Sequence, residues 1–357
     1  MKTVLIGVGQ AGGKVTAALR EFDREMGFDA IRGTLAVNSA QADLKPLPLD
    51  TVLIGQDRVN GHGVGGDNEL GAEVMEADAG EVMAALDGRI TAEAEAIFVV
   101  AGLGGGTGSG GAPVLAKELN RVYDVPVYAL GILPGADEGA MYQVNAGRSL
   151  KTLAREADAV LLLDNDAWRS SGESVEEGFQ SINQAIAQRV GLLMASGEPV
   201  EGVGESVVDS SEIINTLRAG GIASLGYASA QAGDDADANV NVVTSITRNA
   251  LLTGASLPNA TAAETGLVVL AGRAENISRK GVERARSWVE EETGSMRVRG
   301  GDFPLDSDRI AALVLLGGIE RSDRVEAFMD RAKEAQQREE RDDPAEMFQT
   351  EELDDLI

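Results

Sequence analysis

The sequence predicts an α/β protein with a doubly wound, mostly parallel sheet domain, a long central spine helix and a second, smaller α+β domain. Short apolar, β-branched runs alternate with helix-period segments through the first half, which is the rhythm of βαβ units with helices on both sheet faces. A single segment with apolar residues at three- and four-residue steps then continues for about six turns. The length of 357 residues suits two domains of roughly 150 residues, each large enough to bury a core.

Patterning sets the order of elements. Thr3–Ile6 reads as a strand entering a glycine loop, followed by a helix over Gly13–Met26 and a second strand over Thr34–Asn38. Asn60–Gly71 reads as a loop. Strand Ala96–Ala101 leads through a second glycine loop to a helix at Ala112–Arg121. Strand Val127–Leu133, helix Gly139–Ala157 and strand Ala159–Leu163 complete the alternation. The spine, Ser174–Ala195, aligns Val175, Phe179, Ile182, Ile186, Val190 and Leu193 on one stripe. Gly202 and Gly204 break that pattern. Helices at Ser211–Ala219 and Asn239–Gly254 follow, and strands near Gly266–Ala271, Ser295–Gly300 and Ile310–Leu316 flank a helix at Arg279–Glu292. From Asp323 the chain is almost wholly charged and reads as a solvated helix or disordered tail; the alternative is that Met347, Phe348, Leu353, Leu356 and Ile357 form an apolar stripe for a tail-binding protein. The divisions are 1–173, 174–198, 199–321 and 322–357.

Composition removes several functions. With 58 acidic against 31 basic residues and a net charge of -27, the surface repels phosphate backbones, so nucleic acid is not an expected partner. No cysteine and one histidine, His62, leave no thiolate chemistry and no zinc cluster. The N-terminal apolar run meets glycine too soon for a signal or membrane helix, so a cytoplasmic protein without a direct membrane anchor is expected. Only seven basic residues are lysine, and the acidic excess suits hydration in concentrated salt, which points to a halophilic source.

Two glycine loops carry the chemistry. Gly7-Val-Gly-Gln-Ala-Gly-Gly-Lys14 lies between strand and helix, where backbone amides and the helix dipole form an anion site. It fits GxGxxG, yet the acidic residue that would hold a dinucleotide ribose is absent, because the second strand ends at Asn38. A Walker loop fails as well, since no Ser or Thr follows Lys14. The second loop, Gly104-Gly-Gly-Thr-Gly-Ser-Gly110, is more specific: consecutive amides can surround phosphate oxygens, with the Thr107 and Ser109 hydroxyls as further donors. Two facing loops imply a polyphosphate.

GGGTGSG is similar to the signature of the tubulin/FtsZ superfamily of GTPases, and the element order from Met1 to about Arg321 resembles that superfamily throughout. Gln10 and Ser109 resemble the tubulin form, and with the acidic composition the chain most resembles the archaeal CetZ group. The resemblance implies a GTPase domain binding GTP or GDP, with Mg2+ held mainly through phosphates and water and no protein metal ligand assigned. It places Gly9, Gln10, Ala11, Gly12, Gly13, Lys14 and Asn38 around the nucleotide, with Gly104, Gly105, Gly106, Thr107 and Gly108 on the phosphates. Gly66, Asp67 and Asn68 would sense the terminal phosphate, while His62 reads as a loop residue. Glu138 would meet the ribose; the arginine some relatives carry just after it is replaced here by the stretch Ala140 to Gln143. Asn165 and Asn183 would read guanine.

Asp209 and Glu212 have the spacing of a helix N-cap and its N3 carboxylate. The resemblance adds that they project into the next subunit's pocket, Glu212 polarising water and Asp209 supporting it. It therefore implies a cytoskeletal, head-to-tail homopolymer that hydrolyses GTP between subunits and serves cell shape. The alternatives are a GTP-switched scaffold that polymerises slowly or not at all, and a division-ring GTPase. A nicotinamide oxidoreductase fits poorly, because GGGTGSG would be unexplained.

Overall fold

The computed structural model describes residues 1–168, 175–198, 207–233, 235–320 and 322–341. In the first half, β1 (Thr3–Val8), α1 (Gly9–Met26) and β2 (Ile31–Asn38) are followed by α2 (Gln41–Leu44), β3 (Thr51–Leu53), α3 (Gln56–Val59) and α4 (Asn68–Leu86). Then come β4 (Ala96–Gly102), α5 (Gly106–Val122), β5 (Val127–Leu133), α6 (Ala140–Glu156) and β6 (Ala159–Asp164). The spine is α7 (Val175–Ser196). Beyond it lie α8 (Ser210–Leu217), β7 (Ile222–Gln231), α9 (Asn239–Leu252), β8 (Ala263–Gly272), α10 (Arg279–Thr293), β9 (Val298–Pro304), β10 (Arg309–Ile319) and α11 (Asp323–Arg341).

Among the described residues, all strands join one ten-stranded sheet in the order β3-β2-β1-β4-β5-β6-β7-β10-β8-β9. It is parallel from β3 to β7, and β10 then runs antiparallel to both β7 and β8. Period-two alternation feeds two cores. Leu5, Phe98, Val100 and Leu130 face α1 and α7, whereas Val4, Ile6, Ile97 and Val99 face α4, α5 and α6. The first core continues through α7 residues Ile186, Val190 and Leu193 to Val269 of β8 and Leu313 of β10. One helix thus packs on both halves, as a spine requires. A third core, under α9 and α10, covers the opposite face of β8 and β10.

The seam between the halves is narrow. β6 and β7 pair only at Val160 with Ile222 and Leu161 with Ala223. Beyond that point buried Ser256 fills the fork: its N–H donates to Leu225 O (3.0 Å), its O accepts from Asp164 N (3.1 Å), and its Oγ donates to Leu162 O (2.8 Å).

Two expectations change. Asn60–Gly71 is a loop only up to Asp67, which caps α4 by accepting the Leu70 N–H at 2.9 Å. The segment from 323, expected to be solvated or disordered, begins as a packed helix: Phe328, Ala332 and Ala335 form a buried stripe at helical spacing, and hydrophobic burial fixes the helix despite its charge. The apolar residues from Met347 onward lie outside the described residues.

Candidate functional site

The carboxyl ends of β1, β4, β5 and β6 surround a cleft of about 410 Å³, where ligands of doubly wound sheets bind. Helix α1 starts at Gly9 directly after β1, and α5 starts at Gly106 after the loop that follows β4. Neither has an acidic residue in its first turn or a side chain capping its amides, so both present unsatisfied N–H groups and a positive dipole end. Gly9 has φ +74, and a Cβ there would stand 2.9 Å from Gly108 N; only glycine lets the two loops approach so closely. Beside Gly105 a side chain would meet nothing within 4 Å, because that position borders the open cleft. A chain of phosphates fits this cradle.

Gly9, Gln10, Ala11, Lys14, Asn38, Gly66, Gly104, Gly105, Gly106, Thr107, Gly108, Glu138, Asn165 and Asn183 all line that cleft. Four expected residues, Gly12, Gly13, Asp67 and Asn68, do not, and Asp67 serves instead as the cap of α4. Gly12 sits where a Cβ would be 2.1 Å from Val100 O, and Gly13 faces Leu47, so both serve the packing of α1 on its surroundings. Asn68, the first residue of α4, borders a neighbouring depression.

The two hydroxyls of the second loop have partners within the protein. Ser109 donates to Gly105 O and Gly106 O, and Thr107 Oγ1 shares a hydrogen bond of 2.7 Å with Ser39 Oγ. These bonds tie the glycine loop to itself and to the residue that follows β2.

Several cleft residues were not evident in sequence. Asp43 accepts from Gln10 Nε2 (2.9 Å) and Asn38 Nδ2 (3.2 Å), fixing both amides at the rim. His62, expected as a plain loop residue, lines the cleft, as does Tyr142. Phe179 is 47% exposed one turn before Asn183, so α7 presents an aromatic face and an amide to the same space. Glu138 accepts the Gly135 N–H at 2.7 Å within its own turn.

Buried Asn145 was also overlooked. Its Nδ2 donates to Gly66 O (2.7 Å) and Gly104 O (3.0 Å), tying the loop before α4 to the glycine loop. Asn145→Ala leaves two carbonyls without that donor, at a cost of about 1–3 kcal/mol. We expect a lower melting temperature and weaker nucleotide binding together, measured by thermal denaturation with and without GDP.

A wider depression of about 970 Å³ lies between α4, α5 and α6. It contains no facing pair of glycine loops, and Arg121, Arg148 and Arg155 at its border each pair with a glutamate. The narrower cleft is the one that the two glycine loops line, with the starts of α1 and α5 at its floor.

Asp209 and Glu212 are remote from it. Asp209 Oδ1 accepts from Ser211 N (2.8 Å), Ser211 Oγ (2.5 Å) and Glu212 N (3.2 Å), so it caps α8. These bonds, led by the Ser211 hydroxyl, hold its pKa below the usual carboxylate range. Glu212 is half-buried, and desolvation followed by the Asp209 charge pushes its pKa up, against a weaker pull from Arg299. Ser210 Oγ donates to Glu95 Oε1 at 2.6 Å, immediately ahead of β4. The start of α8 therefore lies at the amino end of a strand whose carboxyl end leads into GGGTGSG, roughly 20 Å away at about 3.3 Å per residue.

A sheet with this cradle, joined through a spine helix to a second α+β half, is that of the tubulin/FtsZ class, and residues 2–173 match the tubulin/FtsZ family GTPase domain. Residues 172–334 match the C-terminal domain of tubulin-like CetZ proteins, and the chain belongs to the CetZ family. It is 71% identical to tubulin-like protein CetZ2 of Haloferax volcanii, a halophilic archaeon, over 360 residues that cover 100% of both chains. The structure of CetZ2 from Haloferax volcanii as a GTPgS-bound protofilament is similar at a TM-score of 0.92, covering 95% of this chain and 100% of that one. The GDP-bound monomer of CetZ1 from Haloferax volcanii is 51% identical, with a TM-score of 0.87 over 94% of this chain and 100% of that one.

Proposed function

We propose that the protein is a cytoskeletal GTPase that polymerises head to tail and completes each active site between two subunits, in the service of cell shape. The carrying observation is the placement of the glycine cleft and the Asp209–Glu212 pair at opposite ends of β4. A carboxylate there cannot reach its own cleft, but a translated copy brings it to the next one. Such a heterologous contact repeats into an open filament. The GTPgS-bound protofilament of the 71% identical relative supports this reading.

The division of labour follows from chemistry. Amides at the starts of α1 and α5 stabilise charge on the phosphates. Phe179 stacks on the base, Asn165 and Asn183 read its edge, and Glu138 faces the ribose. Magnesium would supply charge neutralisation, held mainly by phosphates and by waters reaching Gln10 and Asp43 at the rim. Glu212 from the next subunit orients the attacking water, and Asp209, pinned as a cap, fixes the start of the helix that presents it. No helix among the described residues is long and apolar enough to cross a membrane, and the reading places the protein in the cytoplasm.

The test is phosphate release from GTP and from ATP with magnesium in multimolar KCl, over a protein concentration series with light scattering. GTP-specific turnover per molecule should rise steeply with concentration, together with scattering. Flat specific activity would instead favour a nucleotide-switched scaffold.

The raised pKa of Glu212 adds a pH dependence. Its ionised form is the active one, so turnover at saturating GTP is lost as pH falls through a pKa above the ordinary range for Glu. A pH series of kcat should show this acid limb shifting down in Glu212→Asp, which is shorter and intrinsically more acidic.

A further inference from the structure

Helix α11 reaches the base side of the cleft through one side chain. Arg324 donates from Nε to Asp164 Oδ2, and from Nη2 to Asp164 Oδ1 (3.0 Å) and Asp166 Oδ2 (2.6 Å). These partners hold the guanidinium pKa above its ordinary value, the Asp164 hydrogen bond foremost. Asp164 is 1% exposed, and the two aspartates flank Asn165, which lines the cleft. Asp166 Oδ2 also accepts the Ala136 N–H at 2.9 Å, so the same guanidinium braces the turn that carries Glu138.

Packing holds Arg324 in place. Ser322 Oγ accepts the Val325 N–H at the start of α11 (3.3 Å), Phe328 is buried one turn after Arg324, and Ala332 lies against Gly147 of α6. A planar fork suits this task, since one guanidinium can meet two carboxylates with fixed geometry. Without it, Asp164 would keep a buried charge with its cation removed, and the turn around Asn165 would rearrange.

We propose that Arg324 is a positioning residue for base recognition, so that the docking of α11 sets how tightly and how selectively the cleft holds guanine nucleotides. This rests on the guanine-nucleotide reading above. Arg324 is not among the residues lining the cleft; it acts through Asn165 and the Pro134 to Glu138 turn.

The experiment is equilibrium dialysis of GDP and IDP, which lacks the guanine 2-amino group, against the full chain in multimolar KCl with magnesium. Arg324→Ala, Arg324→Lys and Met329→Ala are compared, with melting temperatures recorded. Met329 lies on the α6 side of α11, outside the cleft, and controls for loosened packing. Arg324→Ala should weaken GDP about tenfold or more, IDP less, and so shrink the preference between them. Arg324→Lys should fall between it and the unaltered chain, and Met329→Ala should lower the melting temperature with the preference intact.

Equal weakening of both nucleotides in Arg324→Ala and Met329→Ala at matched melting temperatures would overturn the proposal. So would an undiminished preference in Arg324→Ala. Should Arg324→Ala fail to fold, Asp166→Asn removes the more exposed arm and keeps the buried pair; a shrunken preference supports the proposal and a full one overturns it. If the unaltered chain binds neither nucleotide, the guanine-nucleotide reading itself falls, and this inference falls with it.

Discussion

Glu212→Ala should abolish GTP turnover while leaving GTP binding and filament formation in place. The cap of α8 belongs to Asp209, whose carboxylate takes the Ser211 and Glu212 amides, so the helix start survives the loss of the Glu212 side chain. The cleft, at the other end of β4, loses nothing. Removing a group that positions water or accepts its proton typically costs about 10²–10⁴ in rate. Phosphate release, GTP dialysis and pelleting on one preparation check this, with filaments expected to persist longer than those of the unaltered chain. Undiminished turnover would remove Glu212 from the mechanism. Asp209→Ala acts differently: losing the cap costs about 1 kcal/mol, so a stability defect should accompany any loss of rate.

Gly108→Ala should destroy the other half of the site. Its Cβ would lie 2.6 Å from Gly102 O and 3.2 Å from Val8 O, in the turn where the two glycine loops meet. Overpacking of about 1–3 kcal/mol corresponds to roughly a ten- to hundredfold loss of affinity if it falls on the bound conformation. Nucleotide dialysis measures it. The two variants also complement each other. A Glu212→Ala subunit keeps an intact cleft, and a Gly108→Ala subunit keeps an intact carboxylate. In a random equimolar filament about a quarter of the interfaces pair the intact cleft with the intact carboxylate. A mixture should recover about that share of turnover from two inactive proteins, which an active site within one chain could not do.

What the sequence disclosed depended on how local each signal was. The glycine loops are contiguous, so strand, cradle and helix start appear together in a dozen residues. Strands β1, β2, β4, β5 and β6 were legible because buried parallel strands are apolar throughout, whereas the short, half-exposed β3 was not. Helix α4 was missed because its buried residues are sparse, Val74, Met75, Val82 and Leu86 among acids, alanines and two glycines, which reads as loop. Strand β7 escaped for a related reason: Ala-Ser-Leu-Gly-Tyr-Ala-Ser-Ala offers small polar residues where β-branched ones mark a strand. In α11 the signal was present, since Phe328, Ala332 and Ala335 keep helical spacing, but the surrounding charge hid it. At the site, Asp43, Asn145 and Arg324 could not be found locally. Each acts on a residue brought close by the fold: Asp43 on Gln10, Asn145 on Gly66, and Arg324 on Asp164, 160 residues earlier. Phe179 was visible on the spine, but nothing marked it as facing a cleft.

The narrow seam between β6 and β7 has a mechanical meaning. A continuous sheet stitched at its middle by two residue pairs and wedged open by Ser256 resembles a board sawn most of the way through. It would be stiff along the strands, where covalent chain carries a load, and more compliant across them, where two residue pairs and the Ser256 hydrogen bonds resist sliding. In the head-to-tail filament proposed above, growing along the strand axis, tension would pass from one subunit's α8 to the next one's cleft through the stiff direction. Twist or bending would collect at the saw-cut, beside Asp164 and the base-side turn. A curved filament would then be one whose subunits have each sheared slightly at Ser256, making that wedge a gauge of strain within every subunit.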